Sequence, residues 1–392
     1  MSTPVAPPVR GLARAVGEEA RASPLELFFD LVFVFAITQV TAFMANDPSF
    51  AGLGRGLLIL AFVWWAWSGY AWLTNAVDPE ADRARLVMFA AMAAMLILAL
   101  AVPGAFGDDG VLFACAYFAV RILHAGLFWV AAAGDPAWRA NVVRLVITAL
   151  IGPGLILLSS TAVEEGTRDV VWIAALVLDY AIVLLAPAEG WHMHAGHFAE
   201  RFGLIIIIAL GESIVALGVG AAELELDAAL VVAATLAVVI AATLWWAYFD
   251  VVAIVAERRF RAAAPGAQQR IARDSYALLH LPMIAGIVLF ALGVKKATEH
   301  LGDPLAGVPA VALCGGLALY ALAHVAFRLR NVRTLSVQRC VVTVVCLALI
   351  PLVLSVPALL SLAILAAVWA TLIAYEAIRF AEARARVRTA EA

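Results

Sequence analysis

Apolar runs of roughly twenty residues recur along the whole chain, separated by short breaks rich in glycine, proline and charge. A helix needs about that many residues to cross the hydrocarbon layer of a bilayer. Twelve spans are predicted, at 26–46, 52–74, 85–103, 110–133, 140–160, 169–187, 198–220, 228–252, 275–294, 305–326, 337–356 and 358–380. Only Val356 and Pro357 divide the last two, and that turn carries no charge. The pattern therefore predicts an all-α integral membrane protein of about twelve transmembrane helices.

The apolar pattern also says one thing twice. ELFFDLVFVFAITQVT, Glu26–Thr41, is echoed within HFAERFGLIIIIALGESIVALGVG, His197–Gly220. Slid by 173 positions, Leu31 falls on Leu204, Ala36 on Ala209 and Gln39 on Glu212. Trp64-Trp65-Ala66-Trp67 in the second span matches Trp245-Trp246-Ala247-Tyr248 in the eighth, at an offset of 181. Paired tryptophans are a stronger signal than matched aliphatic residues. A duplication is expected, with repeats at 25–190 and 191–380 and tails at 1–24 and 381–392. Six spans per half is even, so the repeats should run parallel about an axis along the membrane normal.

Charge placement orients the spans. On the N-terminal side of the expected membrane lie 21 of the 26 basic residues, against four on the other side and Arg121 within a span. The positive-inside rule then puts both termini in the cytoplasm. The first 24 residues carry Pro4, Pro7, Pro8 and scattered charge before any apolar run, which reads as a disordered cytosolic tail rather than a signal peptide. The residence expected from this asymmetry is a cytoplasm-facing (inner) membrane. At 65% hydrophobic and 14% charged, the composition excludes an ordinary soluble domain. No basic tract is interleaved with aromatics, so no nucleic-acid partner is expected. Cys115, Cys314, Cys340 and Cys346 all lie in apolar segments and read as reduced core residues.

Ionisable residues within spans are the candidates for chemistry, because a charge at that depth costs several kcal/mol unless it is paired or protonated. Glu212 and Ser213 lie in the seventh span; Asp30, with Glu26 one turn before it and Gln39 deeper, lies in the first. Counting at ~1.5 Å per residue brings Arg121, Asp179 and Glu212 to a similar depth, where they could form one buried ion cluster. Two accounts stay open for it: a fixed salt-bridge network, or a proton- or cation-binding site on a pathway. His124 and His280, and also His324, could relay protons, although a lone membrane histidine is more often a packing residue.

His192, His194, His197 and Glu200 form an H-x-H-x-x-H-x-x-E run at the start of the seventh span. His194, His197 and Glu200 could hold a metal, but the spacing is not that of a hydrolytic zinc motif. The role expected for Glu26, His197, Glu200 and Arg201 is interfacial, through snorkelling and pairing at the helix start. Trp64 and Trp65 read as packing or cavity lining. Nucleophile-elbow, Walker and dinucleotide-binding patterns are absent from the sequence, so no cofactor is expected.

Pro24–Thr41 and His197–Gly218 resemble the bacterial low temperature requirement A (LtrA) family, as do the TrpTrp-Ala segment and Tyr117–His124. The resemblance covers about residues 22–380 and implies a multi-pass bacterial membrane protein. The layout is also similar to an organellar, endolysosomal-type potassium-channel family of two six-helix repeats. That family carries Phe-Ser-Asp on the first helix of each repeat. Here Phe28-Phe29-Asp30 stands in the first repeat and Arg201-Phe202-Gly203, without the acid, in the second.

Three function classes follow. A transporter or channel for a small cation or proton-coupled solute leads, because the polar residues spread through the membrane depth and onto the first helix of both repeats. The alternatives are a membrane-embedded enzyme and a structural or regulatory component. The expected partners are the lipid bilayer and a small cation or solute, with a homo-oligomer left open.

Overall fold

A computed structural model describes residues 21–185, 193–221 and 225–389. Most of the expected tail at 1–24, and His192 of the histidine run, lie outside the described residues. The described elements are helical: α1 Pro24–Asn46, α2 Phe50–Ala76, α3 Asp82–Ala101, α4 Gly110–Ala131, α5 Pro136–Ala162, α6 Glu165–Leu185, α7 Ala195–Ala221 and α8 Ala228–Phe249. They continue as α9 Val252–Ala262, α10 Pro265–Ile271, α11 His280–Glu299, α12 Val308–Val332, α13 Val337–Ala348, α14 Ile350–Val353, α15 Ala358–Arg379 and α16 Ala381–Thr389.

Ten helical stretches among the described residues are long and apolar enough to cross a membrane, so this is a multi-pass membrane protein. That number is below the twelve spans expected. The helices α6 and α13–α14 stand at the two remaining places. α6 opens on a charged turn and carries Asp179, while the apolar stretch Val337–Val353 is short.

Local chemistry sets several boundaries. Ser23 and Glu26 form a reciprocal capping box on α1: the Glu26 amide donates to Ser23 Oγ (3.3 Å) and the Ser23 amide to Glu26 Oε2 (2.8 Å). Asp227 caps α8 by accepting from the Leu230 amide at 2.8 Å. A π-helical turn at Ala272–Leu278 leads into α11.

By contact the chain forms two compact units. The first gathers the chain up to Gln39, Leu58–Arg201 and Ala264–Gln269. Within it α4 packs on α3 and α5, and α5 on α6. Its core is aromatic, with Phe113 stacked on Trp172 and Phe62 edge-on to both Tyr117 and Trp172. The second unit gathers Val40–Leu57, Phe202–Ala263 and the chain from Arg270. Here α11 packs on α12, α12 on α13, and α8 on α15.

The α11–α12 contact depends on bare backbone. A Cβ on Gly286 would stand 2.7 Å from the Gly316 carbonyl, and one on Gly316 would stand 2.7 Å from the Gly286 carbonyl. Gly293, two turns after Gly286, faces Leu313 as closely. Small residues at such crossings let membrane helices gain dispersion contacts that lipid cannot provide. Gly316→Val should therefore destabilise the protein by about 1–3 kcal/mol, the usual range for overpacking. Gly302→Ala, in open space, should leave the thermal midpoint in detergent unchanged. Equal midpoints for the two variants would refute the close-packing account.

Candidate functional site

The first turns of α1 and α7 run side by side and are joined by two ionic rungs. Glu26 meets His197, whose Nε2 lies 3.0 and 3.1 Å from the two carboxylate oxygens. One turn on, Asp30 takes a two-pronged hold from Arg201: Nη1 donates to Oδ2 at 3.0 Å and Nη2 to Oδ1 at 2.9 Å. Both rungs join residues 171 positions apart. Because both steps go the same way along the chain, the two helices are parallel here. Trp67 on α2 adds a third donor to Asp30, at 2.8 Å, and its ring lies 5.8 Å from the Arg201 guanidinium carbon. Arg201 Nε stands 3.7 Å from Glu26 Oε1, so the rungs form one network.

Asn75, at the end of α2, fixes the histidine. Its Oδ1 accepts from the His194 amide at 2.9 Å. Its Nδ2 is therefore the amide nitrogen, donating to the His194 carbonyl (2.9 Å) and facing His197 Nδ1 at 3.1 Å. An amide NH₂ offers only protons, so Nδ1 of His197 accepts and Nε2–H donates to Glu26. That makes His197 the neutral tautomer. Glu26, Asp30, His197 and Arg201 are all essentially inaccessible. Counting these four described side chains, with both carboxylates ionised and one arginine, the cluster carries one negative charge in excess.

Arg201 and His197 do not extend outward: both are buried and pair with Asp30 and Glu26 at the helix starts. The described residues of the candidate metal run have other partners. His197 is committed to Glu26 and Asn75, the His194 backbone to Asn75, and Glu200 accepts from the Ala22 amide at 3.0 Å. Among the described residues, no group of three or more His, Cys, Asp or Glu side chains could hold a metal ion.

Deeper in the same unit, Arg121 on α4 donates to Asp179 on α6 at 2.8 Å, to Tyr117 at 2.9 Å and to Thr148 on α5 at 3.0 Å. A Cβ on Gly152 would stand 2.7 Å from the Asp179 carboxylate, so glycine is what admits the acid at that position. His124 donates Nε2–H to the Gly69 carbonyl at 2.9 Å and packs on Tyr70 and Phe128. Gln39 is half-buried on α1.

Glu212 and Ser213 are buried on α7 and belong to the second unit, whereas Arg121 and Asp179 belong to the first. The Ser213 hydroxyl donates to its own helix, at the Leu210 carbonyl (2.6 Å). His280 on α11 donates Nδ1–H to the Ser275 carbonyl of the π-helical turn (3.0 Å) and accepts from the Tyr248 hydroxyl (2.8 Å). A further buried pair joins Arg339 on α13 to Glu376 on α15, at 3.0 and 2.9 Å. Arg339 also donates to His324 Nδ1 (2.8 Å) and the Ala247 carbonyl (3.1 Å).

Sequence reasoning missed Asn75, Trp67, Arg339 and Glu376. The visible signal for the rungs was a shared i, i+4 spacing, acidic on one helix (Glu26, Asp30) and basic on the other (His197, Arg201).

A polytopic helical membrane protein with complementary charges on two parallel helices is the class that fold and site define. More particularly, the chain belongs to the bacterial low temperature requirement A protein (LtrA) family, whose profile matches residues 21–374. It is also 31% identical over 296 residues to an uncharacterized protein of Rhizobium meliloti (strain 1021), covering 72% of this chain and 71% of that one.

Removing one member of a buried ion pair strands its partner, at about 3–5 kcal/mol. Arg201→Gln, which leaves two acids together, should lower the thermal midpoint more than Asp30→Asn. The double variant should be less destabilised than the sum of the singles by more than about 1 kcal/mol, the signature of direct coupling. Additive losses in thermal unfolding would contradict the bidentate pairing.

Proposed function

We propose that this LtrA-family protein is a transporter for a small cation or proton-coupled solute in the bacterial cytoplasmic membrane, with Glu26, Asp30, His197 and Arg201 as its proton-holding site. The observation that carries this reading is the excess acid: two carboxylates, one arginine and a histidine fixed as neutral, all buried. A buried net charge of that kind is costly, and one proton or cation relieves it. Release of that occupant would leave the rungs mismatched, which gives an ion gradient a handle on the α1–α7 contact. This reading also assigns transport roles, each within its own unit, to Asp179 with Arg121, Gln39 and His124 in the first and to Glu212, Ser213 and His280 in the second.

The same reading takes the chain as twelve spans in two parallel six-helix repeats, with both termini cytoplasmic. Parallel first helices support it, because an even number of crossings must then separate the starts of α1 and α7. That assigns a crossing to α6 despite its polar first turn. The basic-residue asymmetry of 21 against four supports the orientation.

A second reading, a rigid clamp without transport, is favoured by the bidentate Asp30–Arg201 geometry. Proteoliposome flux separates the two. Wild-type protein should dissipate a proton gradient when the right cation or solute is supplied, with potassium and sodium tried first. Glu26→Gln and Asp30→Asn, checked for monodisperse elution, should lose at least ten-fold in rate. Undiminished flux in well-folded variants would remove these acids from the pathway and leave the clamp.

Topology has its own test. In a cysteine-free background, Gly302→Cys should react with an impermeant maleimide on intact cells. Arg259→Cys should react only after permeabilisation. The opposite pattern would invert the proposed orientation.

A further inference from the structure

The TrpTrp-Ala-aromatic motif occurs twice, and its two copies have different surroundings. In the first, Trp64 and Trp67 are fully buried. In the second, Trp245 and Trp246 are 45% and 43% exposed, although Ala247 and Tyr248 beside them are buried. The outward tryptophans belong to a longer pattern on α8. Val231 and Val232, Val238 and Val239, then Trp245 and Trp246 are all exposed, each pair seven residues after the last. Seven residues make nearly two helical turns, so the three pairs form one continuous apolar stripe running down the helix.

The stripe ends in a built groove of about 380 Å³, lined by Trp245, Trp246, Phe249, Asp250, Ile254 and Arg388. The C-terminal helix α16 supplies its basic wall. Asp250 is shared by Arg384, at 2.6 Å, and by Arg388. Arg384 also lies 5.9 Å from the centre of the Trp246 ring. Arg258 on α9 donates to the Val387 carbonyl at 2.6 Å, which fastens α16 over the groove. With Glu376 counted beside Asp250, the four arginines Arg258, Arg339, Arg384 and Arg388 outnumber the two acids and leave this end net positive. It therefore joins a lipid-facing track of chain-like length to a cationic, aromatic terminus at the point where α8 ends.

We propose that the exposed stripe of α8 and the groove at its end bind one anionic phospholipid, with an acyl chain along the valine and tryptophan pairs and the phosphate at Arg388. Tryptophan favours the headgroup level of a bilayer. Arginines just outside a span attract anionic lipid, each by an amount equal to about a five-fold preference. The charge argues against a second copy of this chain as the occupant, because a two-fold contact through this face would set Arg388 against Arg388. A water-borne partner could not reach Val231 and Val232 within the membrane. The site belongs to the second unit, the Glu26–Arg201 cluster to the first, and it does not depend on the transport reading.

The test is tryptophan fluorescence of the full chain in vesicles doped with brominated phosphatidylglycerol or, separately, brominated phosphatidylcholine. At equal mole fraction the anionic lipid should quench more strongly, with a relative affinity about five-fold higher. The excess quenching should disappear in Trp245→Phe/Trp246→Phe, which locates it. Arg388→Gln should bring the ratio close to one, whereas Arg388→Lys should keep most of the preference and so shows that charge, not folding, was lost. Equal quenching by the two lipids in wild type would overturn the proposal. So would a pair shielded from both lipids in a dimer seen by light scattering, which would give the face to a second copy.

Discussion

The constraint that organises the first unit is the pairing of opposite charges across two parallel helices out of reach of water. A carboxylate or guanidinium in that setting has one acceptable environment, an opposite charge with matched donors and acceptors. Asp30 and Arg201 meet it with two parallel hydrogen bonds. The geometry fixes the axial register of α1 against α7, since a slide of one residue would misplace both rungs. Trp67 and Asn75 then bind α2 to the same point. The ends of three helices are thus held by polar contacts.

The second unit uses the same chemistry with other residues. Arg339 and Glu376 pair across α13 and α15 as Arg121 and Asp179 pair across α4 and α6. The fourth position of the repeated aromatic motif is a buried donor both times: Trp67 donates a hydrogen bond to Asp30, and Tyr248 one to His280. The repeated motif thus carries a buried polar contact at each of its two occurrences, with different partners.

Much of this was legible in the residues. Long apolar runs marked the helices, and the echo of Glu26–Thr41 in His197–Gly220 drew attention to the two helices that meet. The alignment offset of 173 could not identify the contact, because the facing residues lie 171 apart; sequence equivalence and spatial apposition differ by part of a helical turn. The direction of Arg201 has a physical reason of its own. A basic residue near the start of a span normally extends to the headgroups, and only knowledge of the facing helix shows that it turns inward. Arg339 and Glu376 escaped notice because each lies near the end of its own helix, where a charge looks unremarkable. The tautomer of His197 was beyond any sequence argument, since it is set by Asn75, which lies 122 residues earlier.

The capping box gives Glu26 a second duty. The carboxylate that faces His197 also closes the first turn of α1 through the Ser23 amide, and the next amide back, Ala22, is held by Glu200 of α7. The polar lead-in ahead of the first apolar residue is therefore part of the wall of the buried cluster. A chain shortened to begin at Pro24 would keep every membrane helix whole and still lose two of the amides that anchor its acids. For this protein the natural place to trim lies well upstream of where the hydrophobic sequence begins.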